Sequence, residues 1–218
     1  MPVGPGDNRF SSETDDVFVD EDGLHLTVKY EDGYWRSSEV ILMDHLSYGT
    51  YAFQTDSRLD VLDPNVTFGA FLWDAYGDEE SAAGAQREID FEDSRWGSIS
   101  DPTNAQMVIQ PYDVDGNLRR YTIPNLAVDS SLTRFFTWQP TRVDFVALRG
   151  RHTPSDFAPE DVIDQFVYWE NPARQHFVPD QGRESFRFNL WINSDGHPKY
   201  GEAVDVVITD FSFTPLPS

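Results

Sequence analysis

Short runs of alternating apolar and polar residues, each closed by turn chemistry, follow one another along this chain, and helical spacing is almost absent. Period-two alternation puts successive side chains on opposite faces of a strand, which restricts such a chain to an antiparallel sandwich or barrel. Strands are expected over residues 16–19, 24–30, 38–43, 48–54 and 66–73, and again over 105–110, 117–122, 133–138, 142–148, 162–169, 186–192 and 204–213. Asp22-Gly23, Asp32-Gly33 and Asp115-Gly116 read as hairpin turns. Residues 74–86, 152–160 and 193–201 read as loops, the first rich in Gly, Ala, Glu and Asp. With 218 residues, no linker and no internal repeat, the chain is expected to be one domain, residues 1–218, around a substantial core.

One expected strand differs from the rest. In residues 86–97, QREIDFEDSRWG, the acids Glu88, Asp90 and Glu92 alternate with Ile89 and Phe91. On a strand the carboxylates share one face while Ile89 and Phe91 bury themselves on the other. Like charges this close repel, and the arrangement costs stability unless it is used. Its chemical use is to push carboxyl pKa values apart, leaving one group ionised as nucleophile and another protonated as general acid near neutral pH. At about 3.4 Å per residue the Cα atoms of Glu88 and Glu92 lie roughly 13 Å apart, and side chains leaning inward over Asp90 bring the carboxyls much closer. A retaining glycosidase needs about 5 to 5.5 Å between its two carboxyls. A solvated acidic edge strand in a very acidic protein accounts for the same five residues equally well.

Composition narrows the partners. Asp and Glu number 38 against 16 Lys and Arg, a formal net charge of -22, which argues against nucleic acid or an anionic membrane and for a neutral ligand. Aromatic residues make up 14%, more than a core requires, and leave rings for a ligand surface. The absence of cysteine excludes disulfides, thiolate metal sites and Cys nucleophiles. His25, His45, His152, His176 and His197 show no metal-ligand spacing. There is no apolar run of transmembrane length, and residues 1–8 read as a Pro/Gly-rich lead rather than a signal peptide.

Further motifs flank the acids in order. Tyr48-Gly49-Thr50-Tyr51 and Phe68-Gly69-Ala70-Phe71-Leu72-Trp73 precede Glu88-Ile89-Asp90-Phe91-Glu92, and Phe136-Thr137-Trp138-Gln139-Pro140 and Phe188-Asn189-Leu190-Trp191 follow it. Over residues 8–213 the chain resembles glycoside hydrolase family 16, the clan of laminarinases, lichenases and xyloglucan transglycosylases. The resemblance implies an all-β fold, an antiparallel, concanavalin A-like β-jelly-roll sandwich with an open cleft for β-linked glycans, and an endo-acting, retaining double displacement. By position Glu88 would be the nucleophile, Glu92 the general acid and base, and Asp90 the residue that tunes them. It also implies a monomeric, extracellular or cell-surface enzyme, its signal trimmed from this chain, that acts on a β-linked polysaccharide. No cofactor for catalysis is implied, while a structural calcium would fall near Asp205. Residues 93–97 and 143–150 depart from the family pattern, which leaves the choice between β-glucan and β-galactan open.

Trp73, Trp96 and Trp191 are candidate sugar platforms, since indole faces stack on pyranose C–H faces while the N–H keeps a polar contact. Trp138 is expected in the core. Gln106 and Gln110 share a strand face beside the acids and, with Asn189, could read sugar hydroxyls; each could equally be a satisfied sheet-surface amide. Arg87 and Arg95 flank the acids and are expected to pair with carboxylates. A solvated side chain explains Asp205 as simply as a metal ligand does. Two rivals to the hydrolase are a transglycosylase on the same site and a carbohydrate-binding sandwich without activity.

Overall fold

The computed structural model describes residues 4–76, 85–193 and 195–217; residues 77–84 of the expected acidic loop and residue 194 of the loop 193–201 lie outside them. Fourteen strands follow in chain order among the described residues: β1 (Val17–Val19), β2 (Leu24–Glu31), β3 (Tyr34–Arg36), β4 (Ser38–Ile41), β5 (Gly49–Asp56), β6 (Val66–Trp73) and β7 (Ile89–Asp93). The second half adds β8 (Ala105–Ile109), β9 (Leu118–Tyr121), β10 (Ser131–Gln139), β11 (Arg142–Arg149), β12 (Val162–Trp169), β13 (Ser185–Ile192) and β14 (Val204–Pro215). The helices are single 3-10 turns, and among the described residues no helix is long and apolar enough to cross a membrane.

The strands form two antiparallel sheets, a β-jelly-roll sandwich. One sheet runs β1-β2-β14-β5-β10-β11-β12 with β3 attached to β2, and the other runs β4-β13-β6-β7-β8-β9. Only β3 was not expected. It forms because Asp32 (φ 52) and Gly33 (φ 89) both adopt left-handed conformations, as a two-residue turn of primed type requires, and fold Tyr34 back onto Glu31.

Between the sheets lies an aromatic core. Phe91 on β7 meets Phe53 and Phe145 of the opposite sheet at centroid distances of 5.7 and 5.3 Å, and Phe53 meets Phe188 at 5.4 Å. Trp138 is fully buried, as expected, and donates its indole N–H to the Pro179 carbonyl at 3.0 Å. One charge pair crosses this core. Arg134 on β10 donates to Asp93 on β7 at 2.6 Å, with its guanidinium 4.9 Å from the Phe53 centroid. Both side chains are almost wholly buried, 1% and 0% exposed, so each charge depends on the other for compensation.

Arg134→Met should therefore destabilise the fold by about 3–5 kcal/mol, the cost of a buried charge left without its partner. The midpoint of urea unfolding measures this. Adding Asp93→Leu to that variant should recover part of the loss, because removing both charges is less costly than stranding one.

Candidate active site

β7 is an inner strand, hydrogen-bonded to β6 on one side and β8 on the other. Its alternation sends Ile89, Phe91 and Asp93 into the core, where each is fully buried, and presents Asp90 and Glu92 to the open face of the six-stranded sheet. Glu88 lies just before the regular strand. The sequence pattern places it within the strand, but Gln86 and Arg87 take left-handed conformations (φ 48 and 58) and delay regular pairing to Ile89. The ladder is still felt at Glu88, whose carbonyl accepts from the Gln110 N–H at 3.2 Å. Arg87 holds this entry in place through Asp74 at 3.0 Å and Asp180 at 3.1 Å, and Asp74 is itself buried.

Register lines up a row of side chains across the sheet. Glu39, Asn189, Gly69, Glu92, Gln106 and Arg120 are successive cross-strand partners from β4 to β9. Paired residues share a face, so the row forms a floor. Gly69 in this row is a packing necessity: a Cβ there would lie 2.5 Å from Asn189 Oδ1. Above the floor opens a cleft of about 630 Å³ that contains Glu88, Asp90, Glu92, Trp73, Asn189 and Trp191.

Both glutamines are satisfied by neighbouring groups of the sheet face. Gln106 donates its Nε2 to Glu92 Oε2 at 2.6 Å, and its Oε1 accepts from Trp96 Nε1 at 3.2 Å and Arg120 at 3.1 Å. Two donors on one oxygen fix the amide orientation, which leaves the NH₂ for Glu92. Gln110 likewise donates to Asp90 Oδ2 at 3.0 Å while its Oε1 accepts from the Tyr112 N–H. Both amides are thus turned to the acids rather than to open space. Trp96 is 40% exposed at the rim and tilted against Trp191 at 6.0 Å, while Trp191 is mostly buried in the cleft wall.

Burial dominates the electrostatics of the trio. Desolvation pushes Glu88 up to about 8 and Glu92 up to about 7 from an ordinary 4.5, and raises Asp90 well above the usual range. Repulsion from Glu92 adds to the rise at Glu88, whereas the Gln106 amide and the Arg120 charge oppose it at Glu92. Asp90 Oδ1 is buried and has no hydrogen-bond donor among the described residues. A protonated neighbouring carboxyl would supply one, so proton uptake belongs to the trio as a unit.

Several residues of this site escaped the sequence reading. Arg187 donates to Glu39 at 3.1 Å inside the cleft, and burial raises Glu39 above its ordinary value. Gly4, Pro5, Phe10 and Ser11 line the cleft as well. Cross-strand alternation on β4 and β13 could have found Glu39 and Arg187, but only with their pairing known. Arg95 donates to the Asp101 carbonyl at 2.9 Å rather than to a carboxylate. Asp205 lies on the other sheet, paired through both oxygens with the His25 imidazole at 2.9 and 3.1 Å, while Asp20 meets the opposite ring nitrogen at 3.1 Å. No group of three or more acids and histidines that could hold a metal ion occurs among the described residues.

The raised carboxyls set a sign for stability. Between pH 4.5 and about 8 the native state holds protons that an unfolded Glu88 has already lost, so unfolding free energy falls as pH rises through that window. The penalty is absent below 4.5 and complete above about 8. Glu88→Gln removes it, and its thermal midpoint should exceed the parent's by more on the alkaline side of the window than on the acid side. Equal gains on both sides would contradict the assignment of the proton to this cluster.

No protein-family model and no curated protein sequence matches this chain. Solved structures do match in fold. A prokaryotic β-1,3-1,4-glucanase (lichenase) from a mouse hindgut metagenome superposes with a TM-score of 0.65 at 14% identity, covering 98% of this chain and 88% of its own. A glycoside hydrolase family 16 endo-glucanase from Bacteroides ovatus gives 0.63 at 12%, covering 96% and 89%. The Crh5 transglycosylase, solved with NAG, gives 0.61 at 12%, covering 94% and 81%. At such identities the likeness is one of fold.

Proposed function

We propose that this protein is a retaining glycoside hydrolase that cleaves a β-linked polysaccharide, with Glu88 as nucleophile and Glu92 as general acid and base. The observation that carries the reading is the carboxyl trio: three acids on the floor of a cleft, all with raised affinity for protons, two of them fixed by amides that are themselves fixed. In the first step Glu88 attacks the anomeric carbon while Glu92 gives its proton to the departing glycosidic oxygen. In the second, Glu92 takes a proton from water as that water displaces Glu88, and configuration is retained overall. Asp90 sits between the two, and a proton held on Asp90 hydrogen-bonds Glu88 and favours its ionised form, as a nucleophile requires. The net charge of -22 favours an uncharged glycan, and the fold it shares with a lichenase and an endo-glucanase favours a β-glucan over a β-galactan. Such a polymer is met outside the cell, which supports an extracellular or cell-surface location. Trp73 and Trp191 in the cleft and Trp96 at its rim provide the ring faces on which sugars stack.

Transfer to a sugar hydroxyl in place of water is the second reading, favoured by the fold shared with a transglycosylase. It uses the same residues and differs only in the acceptor.

Glu88→Gln should abolish turnover on laminarin and lichenan, measured by reducing-end release, while glycan binding by affinity electrophoresis survives. Retention of most activity would remove Glu88 as nucleophile. Glu92→Ala should lose about 10²–10⁴-fold on natural substrates and much less on activated aryl glycosides, with azide restoring part of the second step. In the parent enzyme the acid limb of kcat/KM should fall near neutrality rather than near 4.5, since the trio gives up its protons late.

A further inference from the structure

One side of the cleft is bordered by a segment outside the sheet. At the β4 edge the chain's first described residues rise beside it, and Pro5, Phe10 and Ser11 line it next to Glu39. This strap is pinned at several points. Asn8 is 6% exposed and donates to the carbonyls of Pro5 and Ile192, both at 2.8 Å, while its Oδ1 accepts from the Ile192 N–H at 3.0 Å and Ser37 Oγ at 2.6 Å. Phe10 pairs in parallel with Ser37, supported by Ser37 N–H to the Arg9 carbonyl at 3.0 Å and Ser11 N–H to the Ser37 carbonyl at 2.9 Å. Arg9 stacks over Tyr34 at 4.4 Å.

The strap is also pressed against a cleft residue. Gly6 has φ +65, and a Cβ there would lie 3.0 Å from Trp191 Cζ3 and 2.9 Å from the Ile192 carbonyl. Only glycine allows the backbone to come so close. β4 ends its pairing at Ser38 opposite Leu190, so at Trp191 and Ile192 the strap takes the edge position that a further strand would have filled. At the other end of the floor no strand lies beyond β9 among the described residues.

We infer that residues 4–11 form an end wall to the glycan cleft, so that substrate binds with a chain end against the strap and is trimmed from that end into short oligosaccharides. The inference rests on the glycan-cleaving reading above and narrows the internal cleavage expected of an open groove. Three inter-strand spacings separate β4 from β7, roughly 14 Å, which leaves room for about two or three pyranose rings between wall and scissile bond. The Glu39 and Arg187 pair stands at the foot of the wall, where the terminal sugar's hydroxyls would meet one acceptor and one donor group.

The test compares a linear β-glucan with a cyclic β-glucan of the same linkage, which has no chain end. The intact protein should cut the linear polymer into short products and leave the cyclic one untouched. Deletion of residues 1–7, or Phe10→Ala, which keeps the backbone pairing to Ser37, should raise the rate on the cyclic glucan by about 10-fold or more and lengthen the products from the linear one. Cleavage of the cyclic glucan by the intact protein at a rate near the linear one overturns the wall. So does an unchanged product distribution in both variants. Silence of the intact protein on the linear glucan as well would remove the hydrolytic reading, and the wall's role with it.

Discussion

The burial of three carboxylates in one cleft, two on the outer face of β7 and one at its entry, is the constraint around which this fold is arranged. Each prefers water, and burial of all three in one cleft raises every one of them. The sandwich tolerates this because β7 cannot move away. Neighbouring strands bind both its edges, Phe91 is wedged among rings of the opposite sheet, and Asp93 is locked to Arg134 through the core. A strand held from three directions can carry an unfavourable charge arrangement that an edge strand would shed by fraying.

The amides around the trio add direction to that rigidity. Gln106 would be ambiguous alone, since its oxygen and nitrogen are interchangeable in shape. Trp96 and Arg120 both donate to the oxygen, so the nitrogen must face Glu92. Arg120 is in turn held by Asp101 at 2.8 Å. The acid and base therefore inherits its position from a chain that ends at a surface ion pair, and each link fixes the orientation of the next. Gln110 treats Asp90 in the same way.

Local pattern made much of this legible and register made the rest invisible. Strands that bury one face show in the alternation, whereas β6 and β13, buried along nearly their whole length, show as largely apolar runs bounded by turn residues. The acidic strand shows most clearly, since Ile89 and Phe91 report the inward face as plainly as Asp90 and Glu92 report the other. β3 was missed because Tyr34-Trp35-Arg36 neither alternates nor, unlike the equally short Val17-Phe18-Val19, forms an apolar run. The start of β7 was placed too early because left-handed Gln86 and Arg87 leave no signature in a sequence. Gln106 and Gln110 were placed on the right face, but their acid partners Glu92 and Asp90 could not be named, because a strand's face can be read without its neighbour's register. The strap was invisible for a further reason: its anchors are long-range bonds from Asn8 to Ile192, across most of the chain.

Positive charge in this protein is used almost entirely as Arg. Lys occurs only at Lys29 and Lys199. A planar guanidinium can meet several acceptors in fixed directions, which an ammonium cannot. Arg120 bridges Gln106, Asp101 and Thr103; Arg36 bridges Asp16, Glu31 and Asp32; and Arg87 bridges Asp74 and Asp180. In a chain with more than twice as many acids as bases, these cations each organise more than one acceptor. The same economy reaches the cleft, where Arg187 is paired with Glu39 and so adds little net positive charge. A neutral polymer can approach such a surface without Coulombic hindrance, whereas an anionic one would meet the acidic trio and the surrounding field together.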